Sequence, residues 1–165
     1  MTYNRLHETE ENLSILREQL HGLEKSLILA PLEEQTRIEQ RIKLQLKPKI
    51  QEYEKERWEI LSQQAESLKI PENDAQVAIS EIVEQVGKIE LYQPHDYPNE
   101  ILLLLQQIRN KLNEPGTSAA AKLKGIISSV PPFIGLSYEA EIDTENFFRK
   151  HFPTFSRLIG GATSK

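Results

Sequence analysis

Leucine recurs every seven residues at Leu6, Leu13, Leu20 and Leu27, with Leu16 and Leu23 three positions after two of them. This is the a/d pattern of a helix that buries one narrow stripe against another helix. Period two, which a strand needs, is absent here. Glu10, Glu11, Arg17, Glu18, Glu24 and Lys25 lie off the stripe. Gly22 weakens the helix by about 1 kcal/mol relative to alanine, too little to end it. Pro31 then stops the pattern and suits the first turn of a new helix, where Glu33 and Glu34 favour the dipole. The first helix is therefore expected to end near Leu29 and the second to start near Leu32.

The second helix carries Ile38, Ile42, Leu46, Ile50, Tyr53, Ile60 or Leu61, Ala65 and Leu68, in steps mainly of three and four. Pro48 removes a backbone donor inside it and is expected to kink or split it. So short a connection favours antiparallel packing, which predicts a coiled-coil-like helical hairpin over residues 1–68. Two helices make a thin core. The seam must find cover from the C-terminal half or from a second copy. Trp58, the chain's one tryptophan, either joins that packing or faces a partner.

Residues 69–160 read as a smaller helical unit. A helix of about 14 residues is expected after Asn73 and Asp74, ending near Gly87. "KIELY" allows a very short extended piece, and Pro94 and Pro98 mark a loop. Asn99 opens a helix that Pro115-Gly116 stops. A further helix begins at Thr117 or Ser118 and is expected to end at Pro131-Pro132. Then "FIGLSYEAEIDTE" places Ile134, Leu136, Tyr138, Ala140 and Ile142 on alternate positions. That spacing predicts a short extended or β segment near 133–142, pairing with "KIELY" or with another chain. Asp143 or Thr144 caps a last helix, broken at Pro153, and residues 161–165 are expected to be a disordered tail.

Charge excludes some partners. Net charge is −5, with 10 basic and 13 acidic groups in residues 1–68 and 10 and 12 in 69–165. Neither part carries the basic patch that nucleic acid or anionic lipid requires. The chain has no cysteine, so disulfides, thiolate metal sites and cysteine nucleophiles are excluded. "MTYNRLHETEEN" lacks the pattern of a signal peptide, and "GIISSVPPFIGL" is too short to span a bilayer. A soluble, cytoplasmic protein is expected.

Catalytic signatures do not emerge. Glu139, Glu141, Asp143 and Glu145 would share one face of a strand and offer oxygens to a hard cation, or simply form a solvated face ending in a helix cap. His7, His21, His95 and His151 show no ligand spacing. No phosphate loop, nucleophile elbow or cofactor fingerprint is present. Phe147, Phe148, Phe152 and Phe155, interleaved with Arg149, Lys150 and His151, are core packing, a base-stacking platform or a membrane-surface anchor.

"RNKLNEPGTSAAAKLKGIISSVPPFIGLSYEAEIDTENFFRKHFPTFSRLI" resembles a module of cyanobacterial multidomain proteins. There it links an N-terminal coiled-coil segment to an output region, such as pentapeptide repeats or a NACHT-type NTPase. "LKPKIQEYEKERWEIL" is similar to the coiled-coil segment that precedes it. The resemblance covers residues 10–160 and carries no catalytic residue. This sequence stops at Lys165 without an output region, so the resemblance implies an adaptor that works through a partner, in signalling or defence.

The expectation is a mainly α protein that is not an enzyme and binds no cofactor or metal. It acts by oligomerisation or as an adaptor, through Leu13, Leu16, Leu20, Leu23, Leu27, Trp58, Leu136 and Tyr138. Its partners are another protein, a further copy of itself or both, with no nucleic acid and no membrane. A membrane-active effector using residues 125–136 and the phenylalanine cluster is the first alternative. A small enzyme without a recognisable motif is the second.

Overall fold

In the computed structural model the backbone is described for residues 2–163 and the side chains for residues 5–160. Helix follows helix: α1 (Thr2–Leu29), α2 (Leu32–Arg41), a π turn (Ile42–Leu46), α3 (Lys47–Gln63), a 3-10 turn (Ala65–Ser67), α4 (Glu72–Tyr92), α5 (Asn99–Asn113), α6 (Ala119–Ile127), α7 (Val130–Glu139), α8 (Thr144–His151) and α9 (Pro153–Thr163). Among the described residues there is no strand. The chain divides into two compact units, Met1–Ile60 and Leu61–Lys165. The division falls earlier than residue 68, where the sequence placed it.

In the first unit α1 packs along α2 and the π turn. Pro48 is accommodated without a break. The peptide N–H of Lys47 bonds the Ile42 carbonyl five residues back, and helical dihedrals hold at Ile42 and Lys47. The widened turn leaves room where a proline ring would otherwise press on the carbonyl four residues earlier. The phase shift also keeps Ile42, Leu46 and Ile50 buried on one face.

The second unit is built around α4, which packs on α5, α6, α8 and α9. Ala75, Ala78, Ile82, Val86 and Ile89 form its inner stripe, each 1 % exposed or less. The steps of three and four continue past Gly87. Helix therefore runs on to Tyr92, and the extended reading of "KIELY" is overturned. Burying Ile89 is worth about 1.5–3 kcal/mol, more than the roughly 1 kcal/mol a helical glycine costs.

The strand-like run is also helix. Val130, Phe133, Ile134 and Ser137 are the buried residues of α7, spaced i, i+3, i+4, i+7. The alternation of Leu136, Tyr138 and Ala140 is incidental, and Tyr138 is 47 % exposed. Pro131 and Pro132 do not end α6 so much as open α7, since a proline's missing N–H matters little in a first turn. The tail expected at 161–165 is helical as far as Thr163, and residues 164–165 lie outside the described residues.

Candidate interaction surface

The first unit brings the predicted seam residues together but covers them unevenly. Leu6 and Leu13 are 3 % and 7 % exposed. Leu16, Leu20, Leu23 and Leu27 are only half-buried. Past the seam, Ile28, Leu29 and Leu32 are 79 %, 89 % and 79 % exposed, and Leu44 on the π turn is 68 % exposed. Apolar area left in water at these positions opposes the solvated state by about 25 cal/mol per Å². Trp58 lies inside the unit at 4 % exposed, and the Arg57 guanidinium sits 5.2 Å from its ring centroid. It is therefore buried and offers no free face to a partner.

Charge pairs fix the well-covered end. Arg5 bonds Glu56, Arg57 donates Nε–H to Glu10 at 3.0 Å, and Arg17 lies 3.7 Å from the buried Glu54. Thr9, fully buried, donates its hydroxyl to the Arg5 carbonyl at 2.8 Å. These cross-helix pairs were not foreseen from the sequence. Charges off a heptad stripe read as solvated, and only the packing of α1 beside α3 shows which ones meet.

The second unit buries its phenylalanine cluster. Phe147, Phe148, Phe152 and Phe155 are 2–6 % exposed. Phe147 and Phe148 meet Phe133, with ring centroids 5.1 Å and 5.4 Å from its own, and Phe152 and Phe155 pack on those two in turn. Their burial removes them from stacking on a base or inserting into a lipid surface. Ile126, Ile127, Val130 and Ile134, from the apolar stretch at 125–136, are equally buried. Leu136 is half-buried and Tyr138 exposed on α7, so neither lines a strand edge. Docking by β-pairing there is overturned with the strand itself.

One buried polar group stands inside the aromatic cluster. His151 is 5 % exposed, with Nδ1 3.1 Å from Gln85 Oε1 and Nε2 3.3 Å from the Tyr97 hydroxyl. Gln85 Oε1 only accepts, so Nδ1 carries the proton and Nε2 accepts from Tyr97. Burial, with Lys150 next to it, holds the imidazole pKa below its ordinary value and keeps the ring neutral. Burial likewise pushes the Tyr97 hydroxyl up, so it stays a donor. The ring is a satisfied core histidine.

The carboxylates at 139–145 do not form a shared face. Asp143 caps α8, accepting from the N–H groups of Glu145 and Asn146, and Glu145 pairs with Arg149. Among the described residues no three His, Asp or Glu side chains are grouped to hold a metal ion, and no helix is long and apolar enough to cross a membrane. Compared with protein-family models, curated proteins and solved structures, the chain finds no match.

Proposed function

We propose that this chain is a non-enzymatic protein–protein interaction module, working by oligomerisation or as an adaptor. In this reading the first unit is an antiparallel, coiled-coil-like hairpin, and its leucine seam is the contact surface. The observation that supports it is the half-burial of Leu16, Leu20, Leu23 and Leu27, continued by the exposed Ile28, Leu29 and Leu32. A seam at a/d spacing that its own second arm covers only in part has room for a further helix. Action in the cytoplasm fits a chain without cysteine. A setting in signalling or defence rests on the resemblance to cyanobacterial multidomain proteins.

The test is the double substitution Leu16→Glu with Leu23→Glu. Two carboxylates on the seam should abolish partner capture in a pull-down and lower the mass in solution to that of one chain, while the second unit stays folded. Unchanged mass together with unchanged partner capture would remove the seam as an assembly surface.

A further inference from the structure

We infer that the occupant of the seam is a second copy of this chain, with its α1 running antiparallel. The inference rests on the proposed interaction role and names its partner. Two observations carry it beyond apolar exposure alone. The first is the spacing of the half-buried leucines. Leu16, Leu20, Leu23 and Leu27 follow one another at four, three and four residues, a pattern that reads the same in both directions. Laid antiparallel on itself, the segment sets Leu16 against Leu27 of the second copy and Leu20 against Leu23, twice over. Each layer then joins an a position to a d position, as antiparallel helices require. A two-fold interface needs this self-complementarity, because one patch serves both sides.

The second observation is charge. With Leu16 and Leu23 at d, the flanking e positions are Arg17 and Glu24. Antiparallel helices bring e positions near one another, so Arg17 of each copy lies beside Glu24 of the other. A parallel pairing instead sets Arg17 beside the uncharged Asn12 and Glu24 beside the uncharged Gln19, both on neighbouring g positions, and loses that attraction. Arg17 already forms an ion pair with Glu54 of its own chain at 3.7 Å. It would then bridge two carboxylates, one from each copy. The better-covered end, Leu6 and Leu13, falls outside the paired segment.

The absence of cysteine makes the test direct, since a single introduced thiol labels one position only. The mass of the full chain in solution is measured first, against 19.0 kDa for one copy. Spin labels are then placed separately at His21→Cys and Glu11→Cys, both exposed. In the antiparallel register the two His21 sites are offset by roughly 2 Å along the axis and the two Glu11 sites by roughly 30 Å. A doubled mass with Glu11 labels much farther apart than His21 labels is the expected result. Equal distances at both sites mean a parallel pair and overturn the inference. So does the mass of one copy at every concentration. In that case the interaction role is judged separately, by whether the wild-type seam still captures another protein that the double glutamate variant loses.

Discussion

Leu23 and Phe133 are large apolar side chains on helices, and their surroundings differ. Phe133 on α7 is 1 % exposed and meets rings from α8. Leu23 on α1 lies on a stripe that α2 and the π turn flank, and it stays half-buried. A side chain held between two helices has neighbours on one side only. One enclosed by several helices is closed off. The second unit thus completes its own core, whereas the first leaves apolar area that a further helix could take.

The sharpest way to break this comparison is truncation. Phe133→Ala should cost about 3–5 kcal/mol, because the removed ring leaves a cavity among three helices. Leu23→Ala should cost less, about 1–2 kcal/mol in one copy of the chain, since the site is partly open to solvent. Denaturant unfolding monitored by circular dichroism gives both values. Equal losses would mean that the first unit is as closed as the second.

The next effect belongs to charge. Glu54 is 4 % exposed and faces Arg17. Arg17→Ala takes a cation from a buried carboxylate and should cost roughly 2–3 kcal/mol. Glu8→Ala, at an exposed pair with Arg5, should stay within about 0.5 kcal/mol. Thermal unfolding of the two variants sharpens the comparison inside the first unit, between a buried carboxylate and an exposed one.

In the second unit the corresponding lever is pH. The folded imidazole of His151 titrates below the unfolded one, so between the two values the unfolded chain binds more protons. Stability from the neutral ring is fully present above about pH 6.5 and is lost as pH falls from there through the folded value. One proton limits the slope to about 1.4 kcal/mol per pH unit. Glu72 acts in a lower window. Its carboxylate accepts from the N–H groups of Ala120 and Ala119, which lowers its pKa below 4.5, and its contribution is lost only as pH falls from there. His151→Gln should flatten the stability profile just below pH 6.5, where the unfolded imidazole begins to protonate, and keep the further loss that Glu72 brings as pH falls below 4.5. An unaltered slope just below pH 6.5 would show that His151 does not drive the acid loss.

Local chemistry made the helices legible. The leucine spacing of α1, the start of α2 at Pro31 and the Asp143 cap of α8 are all matters of a few neighbouring residues. The unread features join distant ones. Glu72 caps the N-terminus of α6 from 47 and 48 residues away, and Glu81 holds both the N–H and the hydroxyl of Thr154 from 73 residues away. No spacing rule pairs such residues. Of the residues proposed for contact, the seam was legible as a stripe. Its uneven cover was not, because cover depends on how many helices surround each position. Which of its two readings Trp58 takes was not legible for the same reason.

The smallest effect concerns the segment that looked most like a strand. α7 ends in a motif where the Ile142 N–H bonds the Ser137 carbonyl at 2.8 Å and the Glu141 N–H bonds the Tyr138 carbonyl at 3.0 Å. Glu141 sits between them at φ 59°, in the left-handed region that glycine usually fills. A glycine there would have marked the end of a helix in the sequence; the glutamate concealed it and prolonged the apparent alternation. Glu141→Gly relieves the strain of a side chain in that conformation but adds freedom to the unfolded chain, so the net gain should be about 0.5–1 kcal/mol. Glu139→Gly, two residues earlier at the last position of α7, should lose about 0.5–1 kcal/mol by helix propensity. A strand would give no reason for opposite signs at two alternate positions on one face. Opposite shifts in the thermal midpoint would therefore separate helix from strand over this segment, and losses at both sites would undo the assignment of the left-handed cap.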